Sequence, residues 1–259
     1  NNDDLDVKSK TPKNVLFHGL YFNQQGDRAI LEIKSYDNKD RWIALVDFND
    51  RKLIELEHQH DKAWIGGPGI SGWNGVSGDM GWMKDGESIW FQSEESGFSH
   101  LYILNVINKK KTQLTKGDFE VRDVRLSEDG KIFYLTLNKE DNGNRNFYHL
   151  QWEKKKLIPI LKSKGNYEVR VSPDEKKILY RYSYKNSPWE LYTCNNEPDA
   201  VVKQISSSVT DEFKSYSWRA PDIINVKGMD GVDVPARLYL PSVDKENGAA
   251  VIFVHGAGY

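Results

Sequence analysis

One unit recurs along this chain, and its period constrains the fold more than any other feature. Four segments pair a polar turn with a β-rich strand: FNQQGDRAILEI from Phe22, WMKDGESIWFQS from Trp82, LSEDGKIFYLTL from Leu126 and VSPDEKKILYRY from Val171. The turn position is held by Gly26, Gly86, Gly130 and Glu175, at spacings of 60, 44 and 45 residues. The next strand is a second landmark, reading WIALVDF from Trp42, HLYILNV from His100, NFYHLQW from Asn146 and ELYTCNN from Glu190, and it sets Tyr102, Tyr148 and Tyr192 apart by 46 and 44. A short last strand closes each unit: KLIELE from Lys52, KTQLTKG from Lys111, KLIPIL from Lys156 and VKQIS from Val202. A period near 45 with several strands per unit is the signature of β-propeller blades, small sheets that bury their faces against their neighbours. Helical repeats would space apolar residues by three and four, whereas these segments alternate by two or run continuously apolar. The reading is mainly β: a partial propeller of about four blades between roughly Pro12 and Ser208.

Composition agrees. Apolar residues make up 38% of the chain, but 8 Trp, 13 Tyr and 10 Phe put much of the apolar volume into aromatics suited to half-buried strands. Among these, Trp42, Trp90, Trp152 and Tyr180 lie in strand patterns and are expected to fill the packing between blades. The formal charge is −2 from 36 basic and 38 acidic residues. The two signs are interspersed, which gives no electrostatic footprint for nucleic acid. Lys109 to Lys111 and Lys154 to Lys156 fall in hairpins and read as solvated. The single cysteine, Cys194, excludes an internal disulfide framework and a Cys-based zinc site. The longest apolar run is about six residues, far below the roughly 20 that span a bilayer. The chain starts at Asn1 without Met and is expected to be a piece of a longer protein, periplasmic or secreted, with a cytoplasmic location left open.

The first spacing is longer by about 15 residues, and the surplus is the Gly-rich stretch Gly66–Gly81. A surface excursion explains it; the functional alternative is a loop lining a substrate cavity, with Trp64 and Trp73 as apolar contacts. No Gly-Lys-Ser/Thr ending makes it a phosphate loop. His58 and His60 share one side of a strand beside Asp61, but no third convergent ligand is identifiable, so no metal is expected there.

After Ser215 the period breaks. Two strands, Ile223 to Lys227 and Val232 to Leu240, flank Asp230-Gly231, a type I′ hairpin pair. A polar connection then leads to AAVIFVHGAGY, which reads as a strand buried on both faces that exits through His255-Gly256. Such an exit is how α/β-hydrolases begin the loop that supplies an oxyanion donor. A tight turn with no catalytic role is the plainer reading. The expected division is residues 1–212 for the blades and 213–259 for the start of an α/β-hydrolase domain.

SEESGFSHLYILNV from Ser93, QLTKGDFEV from Gln113, SPDEKKILYRYS from Ser172, WRAPDIINVKGMDGVDVPARLYLP from Trp218 and the terminal AVIFVHGAGY together resemble the prolyl oligopeptidase family of serine peptidases, most closely its dipeptidyl peptidase IV branch. The resemblance implies a seven- or eight-bladed propeller over an α/β-hydrolase domain, with peptides cleaved in the cavity between them. It also implies a Ser/Asp/His triad downstream. No G-x-S-x-G occurs here; the stretches around Ser71 and Ser77 each lack the final glycine. The chain alone is therefore expected to be inactive.

Candidate oxyanion-loop residues are His255, Gly256 and Ala257, with His255 standing where the branch has a donor tyrosine. Trp64-Ile65-Gly66 matches a step of the branch that is followed by an arginine, but here Gly67 and Pro68 follow. The branch's acidic pair for the substrate amino terminus has no counterpart, and Glu94-Glu95 falls in a hairpin turn where solvation is expected. The implied partners are peptide substrates, with no cofactor, no nucleic acid, no membrane span, and a homo-dimer through exposed blade edges as a further expectation. Two other readings remain: a non-catalytic TolB-like propeller that binds a partner, and a hydrolase of acyl-peptides or esters.

Overall fold

The computed structural model describes residues 13–70, 78–242 and 247–254. Its strands form four antiparallel sheets of four, each connected in sequence order. The first holds β1 (Val15–Phe22), β2 (Ala29–Ser35), β3 (Asp40–Asp47) and β4 (Lys52–His60). The second holds β5 (Met80–Trp82), β6 (Ser88–Ser93), β7 (His100–Asn105) and β8 (Lys111–Gln113). The third holds β9 (Val121–Leu126), β10 (Ile132–Leu137), β11 (Asn146–Gln151) and β12 (Lys156–Leu161). The fourth holds β13 (Asn166–Val171), β14 (Lys177–Tyr184), β15 (Ser187–Asn195) and β16 (Lys203–Gln204). These are propeller blades in the number and places that the period predicts.

The turn landmark has one geometry in all four copies. The N–H groups of Gly26, Gly86, Gly130 and Glu175 donate to the carbonyls of Asn23, Met83, Ser127 and Ser172, at 2.9 to 3.2 Å. All four residues adopt positive φ, at 75°, 66°, 73° and 58°. Glycine reaches this region without cost, so three copies use it and Glu175 bears strain. Aspartates complete the turns: Asp129 accepts from the Ser127 hydroxyl at 2.7 Å, and Asp174 from that of Ser172 at 2.6 Å.

The chain separates into two compact units, residues 1–163 with 197–200, and 164–196 with 201–259. In the first unit the apolar faces of successive sheets meet. Ile30, Ile43 and Leu56 of the first sheet pack with Met80, Ile89, Phe91, Tyr102 and Leu104 of the second. Leu101 and Leu114 join Val121, Phe133, Leu135, Tyr148 and Leu150 of the third. Trp90 meets Phe133 edge-on at 5.9 Å, and Trp152 lies against the same core while donating to the Gly130 carbonyl at 2.9 Å. Both thus fill inter-blade packing as expected. Trp42 instead stacks on His58 of the neighbouring strand, with ring centroids 4.9 Å apart. In the second unit Tyr180 is buried in a tyrosine cluster with Tyr167 and Tyr192, each 5.5 Å away.

The second unit also contains α1 (Asp211–Ser215), whose Thr210 cap accepts the Phe213 N–H, and a hairpin of β17 (Asp222–Lys227) and β18 (Asp233–Leu238). The expected type I′ turn is not formed. Gly231 alone has positive φ, its N–H bonds the Gly228 carbonyl, and Gly228 N–H bonds the Val232 carbonyl. A left-handed residue closing a longer loop spares Asp230 the positive φ that type I′ would demand. The terminal apolar run also departs from expectation. Residues 251–254 form no strand and are exposed, Val251 at 95%. A strand needs neighbours for its hydrogen bonds and faces, and none of the described strands pairs with this run.

Gly26 has no neighbour within 4 Å of where a Cβ would stand, so Gly26→Ala tests backbone strain alone. It should cost roughly 0.5–1 kcal/mol, the added strain less the chain entropy that alanine removes from the unfolded state. Glu175→Gly should gain roughly 0.5–1 kcal/mol, the relieved strain less the added chain entropy. Urea unfolding of the two variants beside the wild type checks both signs.

Candidate functional site

Antiparallel connection puts the β2–β3, β4–β5, β6–β7, β8–β9 and β10–β11 segments at one end of the first three blades, opposite the glycine turns. At this end the Trp64 loop and the roots of the Gly-rich insertion are held by polar side chains. Glu32 on β2 and Arg41 on β3 are 0% and 1% exposed and pair at 2.5 Å. Glu32 also accepts the Gly78 N–H at 3.0 Å, and Arg41 donates to the Gln92 carbonyl at 2.6 Å, tying the first blade to the second. Lys34 lies 3.4 Å from Glu32. Burial and the Arg41 charge push its pKa down against the pull of Glu32.

Gly78 is required by close approach. A Cβ there would stand 2.6 Å from the Ile70 carbonyl oxygen and 2.8 Å from Arg41 Nη2. The Asp79 N–H closes the base of the insertion on the Gly69 carbonyl at 2.7 Å. Gln92 Nε2 donates to the carbonyls of Pro68 and Val121 at 3.1 and 2.7 Å, and the Ser99 hydroxyl donates to the Pro68 carbonyl at 2.7 Å.

Trp64, a cavity candidate from the sequence, lies on this loop 58% exposed. Beside it, Glu94 is half-buried and accepts the Gly66 N–H at 2.9 Å. Burial chiefly raises the pKa of its carboxyl; the Gly66 bond lowers it, and Asp61 and Glu120 add to the rise. Glu94 is therefore a loop anchor rather than the solvated hairpin residue expected. Glu95 is exposed and pairs with Lys111 at 2.7 Å. Trp73, His255, Gly256 and Ala257 lie outside the described residues, as do Ser71 and Ser77.

His58 and His60 share a side of β4, but their partner is Asp40 on β3, not Asp61. His58 Nε2 and His60 Nδ1 lie 2.8 and 2.9 Å from the same Asp40 oxygen, and Lys13 bonds the other. Register explains the choice, since β3 and β4 place Asp40 directly opposite His60. Burial pushes the Asp40 carboxyl up, but the bonds from Lys13, His58 and His60 outweigh it and hold it at about 2, below the ordinary 3.8. Among the described residues no group of three or more His, Cys, Asp or Glu is arranged to hold a metal.

Sequence reasoning missed the Glu32–Arg41 anchor. The available signal was parity: Ile30, Glu32 and Lys34 share one face of β2, and that face is the buried one.

The model of the dipeptidyl peptidase IV N-terminal region matches residues 12–189. Dipeptidyl peptidase 4 of Trichophyton equinum is 24% identical over 231 residues, covering 84% of this chain and 30% of its own. In fold, the chain is similar to Porphyromonas gingivalis dipeptidyl peptidase 4, with TM-score 0.68, 12% identity, and coverage of 88% of this chain and 31% of that one. It is also similar to a puromycin hydrolase, with TM-score 0.62, 14% identity, and coverage of 86% and 33%. The chain thus spans about a third of the length of the relatives it matches.

Glu32→Ala leaves Arg41 buried and uncompensated and should cost about 3–5 kcal/mol, whereas replacing both residues by apolar ones of similar volume should cost far less. Urea unfolding of the single and double variants checks this. The Asp40 carboxyl is depressed in the folded state, so its stabilisation is present above pH 3.8 and is lost as the pH falls towards about 2. Between those values the wild type should lose stability more steeply than Asp40→Asn, as read from urea midpoints at pH 2, 3, 4 and 5.

Proposed function

This chain belongs to the dipeptidyl peptidase IV N-terminal region family, and from that membership we propose that it forms propeller blades of a serine-type peptidase that hydrolyses short peptides. Membership over residues 12–189 is the observation that carries the reading. The blades restrict which substrates reach the hydrolytic centre, and the loop end bearing Trp64 faces the peptide. Trp73 is the second residue proposed to make apolar contact with the peptide.

Residues from about 213 onward begin the α/β-hydrolase domain. The β17–β18 hairpin and the apolar residues 251–254 support this assignment, because a contiguous exposed apolar run calls for a cover. His255, Gly256 and Ala257 follow that run, and a backbone N–H there would stabilise the oxyanion of the tetrahedral intermediate, an interaction worth about 2.7–4 kcal/mol in a serine hydrolase. The nucleophile, base and orienting acid come from beyond this chain, which by itself is inactive.

The parent protein should release p-nitroaniline from a Gly-Pro p-nitroanilide and be labelled by a fluorophosphonate, while residues 1–259 alone do neither. A parent that takes up no fluorophosphonate overturns the reading and favours a binding propeller. In the active parent, Trp64→Ala should raise KM about tenfold with little change in kcat, as expected for lost apolar contact with bound peptide. Steady-state kinetics checks this.

A further inference from the structure

Two arginines, Arg122 and Arg145, stand at the loop end of the third blade. Asp123 of β9 pairs with Thr136 of β10 and Val121 pairs with Leu137, so the register shifts and Arg122 is the extra residue of a β-bulge. Bulges re-aim side chains and concentrate beside functional sites. Arg122 is half-buried, and its Nε is buried without a hydrogen-bond partner. Leu137 is also paired with Asn146, which lines up Val121, Leu137 and Asn146 across the sheet. Arg145 precedes Asn146 directly, so the two arginines stand on either side of β10. Burial, and then the charge of Arg145, press on the Arg122 guanidinium, against the pull of Glu120 and Asp123.

Those two acids do not close the site. Glu120 Oε2 already accepts the Ser99 N–H at 2.6 Å, and Asp123 is exposed. An unpartnered buried donor beside a second guanidinium calls for an anion. The chemistry around it selects which one. Glu120 and Asp123 would repel a dianion such as phosphate, whereas a planar monoanion fits a guanidinium fork.

We propose that Arg122 and Arg145 bind the terminal carboxylate of a short peptide, so that this blade recognises the carboxyl end of its substrate. The proposal rests on the peptidase reading above for the identity of the ligand. Its test needs no turnover: a silent binding assay leaves the peptidase reading standing, and an inactive parent leaves the binding result intact.

Residues 1–259 are titrated with triglycine, triglycinamide, an N-acetylated and C-amidated Gly-Asp-Gly, and sodium sulfate, following the arginine Nε–H signals by NMR. Triglycine should bind with a Kd of roughly millimolar order and shift the Arg122 signal, with triglycinamide at least tenfold weaker. Arg145→Gln, at an exposed position, should weaken triglycine tenfold or more without changing the unfolding midpoint. Arg122→Lys should weaken it too, because charge without the fork is insufficient. Equal binding of triglycine and its amide overturns the proposal. So does binding of the Asp-containing peptide without triglycine, which would make the site one for side-chain carboxylates, or binding of sulfate alone, an adventitious ion only. If Arg122→Lys does not fold, the Arg145 variant decides.

Discussion

A four-stranded sheet with two apolar faces cannot stand alone in water, and the first three blades solve that constraint by facing one another. The middle strands carry the burden. Ile30 and Ile43 on one sheet and Ile89 and Phe91 on the next are fully buried at the first seam, as are Phe133, Leu135 and Leu150 at the second. Each such side chain contributes about 1.5–3 kcal/mol by leaving water, so the seams outweigh any single polar contact in the molecule. Everything else is arranged around keeping the sheets in register with these seams. The left-handed turns do so at one end, where Lys84 lies across Gly130 and Gln25 across Gly86, blade upon blade.

The opposite end is organised by polarity. Apolar burial is non-directional and cannot position a loop to within an ångström, but a buried ion pair with further acceptors can. Glu32 and Arg41 reach Gly78 and Gln92, and Gln92 reaches Pro68 and Val121, so one connected set spans three successive blades. Such a network contributes little net stability relative to an apolar core. What it contributes is placement: the segment carrying Trp64 leaves the sheet along a single path, with Glu94 bonded to the Gly66 N–H beyond it.

The blade turns were legible in the sequence because their chemistry is local. Positive φ calls for glycine, an aspartate two residues from a serine closes on its hydroxyl, and both signals sit within six residues. Strand placement was legible for the same reason, through alternation by two. The Asp40 cluster was half legible: His58 and His60 share a face by spacing, but their partner is set by the β3–β4 register, which no local pattern encodes. Asp61 looked adjacent only along the chain. The Arg122 bulge was invisible, since one unpaired residue in β9 leaves no compositional mark. The terminal run was read from its unbroken apolar stretch and the His-Gly pair that follows it, but a strand also needs partners to pair with, and those no local pattern encodes.

The two ends of the blades therefore obey different rules, and the end proposed to face the peptide is the less repetitive one. At the turn end each connection is short and its geometry repeats, leaving little freedom to vary one blade against another. At the loop end the β4–β5 connection carries an insertion, β6–β7 supplies Glu94 and Ser99, and β8–β9 delivers Glu120 to the Ser99 N–H. Chemistry-bearing side chains accumulate where backbone geometry is least repeated, because a loop can change length without disturbing the seams that hold the sheets. Rigid strands beneath then fix what the loops present. A propeller built this way can alter its loop surface blade by blade while its core remains unchanged.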